Sequence, residues 1–239
     1  MKAALDRILD AHGGLAYWRS LTSVELEMSA SGFLFTAKRV APQNHVHLTV
    51  RTRIPEVVLH DYPATGQSTL LRGAEDVEVR NASGNVTATR ADPRAAFAHR
   101  RRALYWDELD FAYFCGYAMW NYINLPFLLA GPGFTVDEQL GDGAGGTVLR
   151  TRFPPGLPTH SPRQLFRFDE SGRLSRHDYT AEVIGPWARA AHLCRDYRRF
   201  DGLWLPTRRR VYPSGPFGRP LPFPTLVAID IHDAQPISE

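Results

Sequence analysis

Short segments in which apolar and polar residues alternate make up most of the chain. Between residues 23 and 31, Val24, Leu26 and Met28 alternate with polar residues, which is the period of a strand with one buried face. Further segments that predict strands are residues 33–40, 44–53, 57–62, 68–71, 76–80, 85–89, 134–140, 147–153, 164–169, 173–184, 190–200, 203–212 and 224–231. Their close spacing is typical of an antiparallel meander, and Asp201-Gly202 is the clearest hairpin signal.

Two stretches follow a helical period instead. Near the start, Leu5, Ile8 and Leu9 lie on one side of a predicted helix over about residues 2–12, which a pair of glycines ends. A helical insert over about residues 93–124 interrupts the strands in the middle of the chain.

These elements predict a mainly β fold of the α+β class. We expect a single curved antiparallel sheet, or open half-barrel, of about eleven to twelve strands with helices packed in the concave face. Residues 1–239 are interpreted as one domain, because no linker, repeat or shift in composition divides them. A division near Gly131 is the alternative, in which the helices would have to cover two smaller sheets.

The helical insert carries one stripe of polar and aromatic residues. At 100° per residue, its members fall within about 60° of one line on the helix surface. They are Trp106, Asp110, Tyr113, Tyr117, Trp120, Asn121 and Asn124. The opposite side is apolar, so both faces are predicted to be buried while only one has hydrogen-bonding groups. Such a stripe either lines a ligand cavity or bonds to other parts of the protein, and the sequence leaves both alternatives open.

Asp110 is the candidate for proton transfer within this stripe. Trp106 and Tyr113 flank it on neighbouring turns, and an apolar surround raises the pKa of a carboxyl group. In a catalytic interpretation Asp110, Tyr113 and Tyr117 are the catalytic residues, while the remaining stripe residues bind the ligand. The alternative is that Asp110 forms a salt bridge with Arg102 or with a strand arginine and braces the helix against the sheet.

Three residues of the later strands are further candidates for ligand binding. His177 and His192 each lie on a strand whose inner face the sequence does not identify, and buried core histidines are the alternative interpretation. Arg208 shares a strand face with Arg210, and that face is also suited to pairing with an acid such as Asp196.

Composition excludes several classes of protein. Hydrophobic residues make up 44% and charged residues 22% of the 239 residues, which excludes wholesale disorder. The net charge of +3 is too small and too dispersed to indicate nucleic-acid binding. Cys115 and Cys194 belong to no ligand cluster, and no phosphate loop, dinucleotide fingerprint or metal-binding histidine pair is present. We therefore expect no metal and no cofactor.

Residues 111–130 contain no charge and have about the length of a membrane-spanning helix. Asn121, Asn124 and Pro126 would lack partners in lipid, so we expect a helix buried in protein and no stable membrane insertion. Insertion of this segment at a membrane surface is the alternative. The first ten residues lack the continuous apolar stretch of a secretory signal, so a cytoplasmic location is expected.

The order of elements resembles the lipoprotein-carrier fold of the LolA, LolB and LppX type. An opening helix ends in Ala-His-Gly-Gly at residues 11–14, Trp18 follows, and a long meander is interrupted by helices. The chain is also similar to bacterial proteins that share Ala-His-Gly-Gly, the Gly-Tyr-Ala-x-Trp-Asn-Tyr segment at residues 116–122 and the Pro-Thr-Arg-Arg strand at residues 206–209. The resemblance to the carriers implies an open half-barrel that holds acyl chains beneath a helical lid.

Two functions follow from these observations. The leading hypothesis is a protein that binds an apolar or aromatic small molecule in a half-barrel cavity, as a cofactor-independent enzyme for cyclisation, isomerisation or dehydration. The alternative is a non-catalytic carrier of lipids or other hydrophobic ligands. The sequence does not fix the oligomeric state.

Overall fold

The computed structural model describes residues 2–140 and 146–238, and a single antiparallel sheet of thirteen strands runs through these two segments. Its strands are β1 (Leu21–Ser31), β2 (Gln43–Arg51), β3 (Glu56–His60), β4 (Ser68–Arg72), β5 (Asp76–Arg80), β6 (Val86–Ala91), β7 (Thr135–Leu140), β8 (Thr147–Arg152), β9 (Arg163–Phe168), β10 (Leu174–Thr180), β11 (Arg189–Phe200), β12 (Leu203–Pro213) and β13 (Val227–Ser238). Strands β1 to β6 form one meander and β7 to β13 a second. The pairing of β1 with β13 joins the two meanders into one sheet, whose edges are β6 and β7.

Four α-helices accompany this sheet in the described part of the chain: α1 (Lys2–Ala11), α2 (Leu15–Ser20), α3 (Phe33–Ala37) and α4 (Glu108–Asn124). Short 3-10 turns cover Ala95–Ala98, Arg100–Ala103, Phe127–Ala130 and Pro216–Gly218. Helix α4 packs most closely against β2, β3, β4 and β5, and from Leu109 to its end every side chain is buried. None of the described helices is long and apolar enough to cross a membrane.

The predicted fold class is confirmed, with two corrections. The sheet has thirteen strands rather than eleven or twelve, because every segment with a strand pattern except residues 33–40 forms a strand of its own. The strand predicted over residues 33–40 is wrong, since its first half forms α3. Gly32 causes the change: its φ is +136°, and a Cβ atom there would lie 2.4 Å from the Leu226 carbonyl oxygen. The chain therefore turns at Gly32 and crosses the end of the sheet.

The hairpin predicted at Asp201-Gly202 is confirmed, and it explains the glycines that end α1. Phe200 pairs with Leu203 across this two-residue turn. Gly13 has a φ of +121°, and a Cβ atom on it would lie 2.3 Å from the Gly202 carbonyl oxygen. Only glycine allows the end of α1 to lie this close to the hairpin.

Candidate functional site

Helix α4 begins with a capping box made by two aspartates. The Asp107 carboxylate accepts a hydrogen bond from the Asp110 N–H at 2.9 Å, and the Asp110 carboxylate accepts one from the Asp107 N–H at 3.2 Å. Arg90 on β6 and Arg102 also donate to Asp110, at 2.6 Å and 2.9 Å respectively. This arrangement joins the start of α4 to the edge strand of the first meander.

Burial raises the pKa of both carboxyl groups, and the neighbouring arginines lower it. Although burial opposes it, hydrogen bonds from Arg90 and from the Asp110 N–H lower the pKa of Asp107 to about 2. Burial and the neighbouring Asp107 charge raise the pKa of Asp110, and the two arginines limit that rise. Asp110 is fully buried among these partners and lines none of the three cavities described below.

Most of the polar stripe on α4 bonds to the protein itself. Trp120 Nε1 donates to the Ile54 carbonyl at 2.7 Å, and Asn124 Nδ2 donates to the Arg51 carbonyl at 3.0 Å. Asn121 Nδ2 donates to the Pro158 carbonyl at 2.8 Å. These bonds attach α4 to the region of β2 and β3 on one side and to the proline-rich segment before β9 on the other.

Tyr113 is the stripe residue that faces open space. Its buried hydroxyl forms no hydrogen bond of ordinary geometry with the described residues, and Arg94 is the polar side chain beside it. It lines a cavity of about 310 Å³ together with Arg94, the segment at residues 152–159, and Glu182. Trp106 lies before α4 rather than on it, and its ring packs between those of Phe97 and Phe114.

A second cavity of about 310 Å³ lies on the opposite, apolar side of α4. We call it the outer cavity. Helix α3, the loop after β10 and strands β11, β12 and β13 surround it, and apolar atoms make up most of its wall. Representative lining residues are Leu34, Ile184, Trp187, Ala190, Val211 and Leu226. Its volume lies at the lower end of the range typical of small-molecule pockets.

Phe114, Tyr179 and Val227 separate the outer cavity from a much smaller inner cavity, since they line both. The inner cavity has about 20 Å³, which is enough for one water molecule but not for a ligand. It lies between α4 and strands β1 and β13, and its lining includes Met28, Met119, Tyr122 and Ile229.

Tyr122, which lines the inner cavity, also belongs to a group of buried rings that we call the histidine cluster. Its members are His160, His177, His192, Tyr122 and Tyr179. The hydroxyl groups of Tyr117 and Tyr122 lie 3.1 Å and 2.7 Å from the two ring nitrogens of His160. The Tyr122 and Tyr179 hydroxyls are 3.0 Å apart. His192 differs from the other histidines, because neither of its ring nitrogens has a partner among the described residues.

Burial keeps the histidine cluster uncharged near neutral pH. It lowers the pKa of His160 to about 3, and those of His177 and His192 well below the ordinary value. The positive charge of Arg209 adds to the effect at His177 and His192. Burial also raises the pKa of Tyr122 well above its ordinary value, so its hydroxyl stays protonated.

The arginine beside this cluster is Arg209. It is 2% exposed, and its Cζ lies 5.1 Å from the centre of the Tyr122 ring. Arg208, which the sequence made a candidate, lies on the outer face of β12 with its side chain 56% exposed and 3.9 Å from Asp196. The register of β12 therefore directs Arg209 inward and Arg208 into solvent.

The structure divides the residues predicted from sequence among several places. Asp110 is bound by Arg90 and Arg102, and Tyr113 lines the cavity that also contains Arg94. Tyr117 contacts His160, and His177 and His192 belong to the histidine cluster. The sequence patterns above do not identify His160 and Arg209 as candidate residues. Alternation of apolar residues along β12 would have identified Arg209 as inward-facing, whereas His160 lies in an irregular proline-rich segment without a periodic signal.

The described residues contain no group of three or more histidine, cysteine, aspartate or glutamate side chains arranged to hold a metal ion. No protein-family model matches the sequence, and no curated protein matches it.

Solved structures do match the fold. A DUF1329 family protein from Desulfovibrio piger superposes with a TM-score of 0.55 and 17% identity, covering 98% of this chain and 92% of that one. A LolA superfamily protein from Nitrosomonas europaea superposes with a TM-score of 0.50 and 12% identity, covering 97% of this chain and 92% of that one. The fold of this chain is LolA-like.

Proposed function

We propose that the protein binds an apolar small molecule in the outer cavity and acts as a carrier of that molecule. The observation that supports this is the cavity itself: about 310 Å³ lined mostly by apolar side chains, with Lys38 and Arg189 as its charged lining residues. Burial of apolar ligand surface in such a space is favourable by about 25 cal/mol per Å². A lining with so few polar groups favours hydrophobic ligands over sugars or nucleotides.

Two exposed aromatic residues lie at the rim of the outer cavity. Phe33 on α3 is 55% exposed and Trp187 in the loop after β10 is 76% exposed, and both line the cavity. Large apolar side chains left in water at the mouth of an apolar cavity are expected where a hydrophobic ligand enters. The lipoprotein carriers that the sequence resembles, which hold acyl chains in an open half-barrel, support the same interpretation.

Catalysis is the second candidate function, and the Tyr113 cavity favours it. There the buried hydroxyl of Tyr113 faces the same space as Arg94 and Glu182, whose side chains form an ion pair at 2.8 Å. A polar cavity with a buried hydroxyl and charged groups is suited to acid–base chemistry. The participation of Asp110 in such chemistry stays a prediction.

Titration with the neutral fluorescent probe N-phenyl-1-naphthylamine tests the carrier proposal. We expect saturable binding to the wild-type protein and at least a tenfold loss of affinity in Ala188→Trp, because the new ring would fill the cavity that Ala188 lines. Ala228→Trp is the matched control, since Ala228 is also half-buried but lies on β13 outside the cavity. Absence of saturable binding, or equal affinity in both variants, would contradict the proposal.

A further inference from the structure

Arg209 is a buried cation without an anionic partner. Its Nη1 donates to Cys194 Sγ at 3.5 Å and its Nη2 to the Tyr122 carbonyl at 3.1 Å, while Nε has no partner. Among the described residues no carboxylate forms an ion pair with it. Removal of an unpaired guanidinium from water costs several kcal/mol, so an anion beside it would stabilise the folded state.

His192 offers a second unused group next to this cation. It is fully buried and both of its ring nitrogens lack partners. On the inner face of the sheet it is the diagonal neighbour of Arg209, because His192 pairs with Val211 and Cys194 pairs with Arg209. Its ring centre lies 4.6 Å from that of Tyr122, the same ring over which Arg209 is placed. Two buried groups with unused hydrogen-bonding capacity thus both lie beside Tyr122.

Arg209 and His192 do not themselves line the inner or the outer cavity, but both are neighbours of residues that line the inner one. Tyr122 lines the inner cavity, and so does Ile229, which is paired with Arg209 across β12 and β13. The inner cavity in turn shares Phe114, Tyr179 and Val227 with the outer cavity. The walls between the rim and Arg209 are therefore mostly apolar, with Lys38 and Arg189 as the charged residues that line the outer cavity.

We propose that the ligand is an apolar carboxylic acid whose carboxylate binds Arg209 and His192 while its hydrocarbon part occupies the inner and outer cavities. This inference rests on the function proposed above and adds the chemical class of the head group. One carboxylate oxygen accepts from Arg209 Nε–H and the other from a ring N–H of His192. A single planar carboxylate matches the two unused donors, whereas a phosphate would bring more acceptors and more charge than they satisfy.

Entry of the ligand requires the inner cavity to widen. Met28 and Met119 lie in its wall, and methionine side chains change rotamer at small cost. Displacement of these two side chains enlarges the inner cavity, and rotation of Phe114, which lines both cavities, then joins it to the outer one.

Competition for bound N-phenyl-1-naphthylamine by dodecanoate and by dodecan-1-ol at pH 7.5 tests the head-group assignment. The two competitors share a hydrocarbon chain, so their difference reports the carboxylate alone. We expect dodecanoate to bind the wild-type protein at least tenfold more tightly than the alcohol. We expect Arg209→Met to remove this preference while the affinity for the alcohol changes less than threefold. Methionine keeps an apolar side chain of similar length to the arginine stem and removes only the guanidinium group.

Arg210→Met is the matched control, because Arg210 is the next residue along β12 and pairs with Asp230 at 2.8 Å. It should keep the preference for dodecanoate. His192→Phe should reduce the preference without abolishing binding of the alcohol. Equal affinity of the wild-type protein for acid and alcohol would overturn the head-group assignment and leave the apolar site intact, whereas failure of the probe itself to bind would overturn both proposals.

Discussion

The Nε atom of Arg102 lies 2.9 Å from Oδ2 of Asp110, and Arg90 approaches the other carboxylate oxygen at 2.6 Å. The side chain of Asp110 is completely buried, and those of the two arginines are 11% and 18% exposed. A carboxylate held in this way is a structural link between α4 and β6. It ties the start of the buried helix to the edge of the sheet.

Asp110→Asn is therefore expected to lower the free energy of unfolding by about 2 kcal/mol, because it removes one of the two carboxylates that Arg90 and Arg102 share and leaves them only Asp107. Urea denaturation would measure the loss. Glu108→Gln is the control in the same helical turn: Glu108 is exposed, and its replacement should change stability by less than about 0.5 kcal/mol. Retained stability together with loss of probe binding or of turnover would instead place Asp110 at a ligand site.

Gly13→Ala is expected to lower the free energy of unfolding more than Gly84→Ala, although both glycines have a positive φ. At Gly13 a new Cβ atom would lie 2.3 Å from the Gly202 carbonyl oxygen and the backbone would be strained, so a loss of about 3 to 5 kcal/mol is expected. Gly84 also has a positive φ, of +80°, but nothing lies within 4 Å of its Cβ position, and Gly84→Ala should cost about 1 kcal/mol. Equal losses in chemical denaturation would show that α1 does not depend on this close approach.

Much of the sheet could be predicted from sequence because most strands bury only one face. In β13, Val227, Ile229 and Ile231 are buried and alternate with less buried residues, so the period of two is visible. The short apolar run at the start of residues 33–40 has no such distinguishing period, and its helical conformation depends on the close approach of Gly32 to Leu226.

The position of the outer cavity could not be predicted, because a buried helix gives no sequence signal of where a gap lies beside it. Gly116 lets α4 approach β4 closely, since a Cβ atom there would lie 2.7 Å from Leu71. The helix thus packs on the first meander, and the outer cavity remains between Phe114 and the strands of the second meander. The polar stripe was visible in the sequence, but its partners, such as the Pro158 carbonyl, come from segments distant along the chain.

Stability should fall when the pH is lowered from 7 to 5. Burial lowers the pKa of His160 to about 3 and that of His12 to about 4, whereas both have pKa values of about 6.5 when unfolded. Between pH 6.5 and the lower folded values the unfolded chain binds more protons, so acid favours unfolding. Each such histidine contributes a loss of about 2 kcal/mol over this range.

Urea denaturation at a series of pH values measures this effect. His160→Gln should reduce the slope of stability against pH by close to one proton. His99→Gln is the control, since His99 is exposed, and it should leave the slope unchanged. A stability that is constant from pH 7 to 5 would contradict the burial of neutral histidines.

Both cysteines should resist thiol reagents in the folded protein. Cys115 faces the inner cavity and Cys194 lies beside Arg209, and both are buried. Burial raises the pKa of Cys115 to about 12, so only about one thiol in ten thousand is ionised at pH 8, and the thiolate is the reactive form. Ellman's reagent should therefore detect no free thiol in the native protein and both after denaturation in urea. The same assay with Met119→Ala would test access through the inner cavity, because removal of that side chain is expected to make Cys115, but not Cys194, react faster.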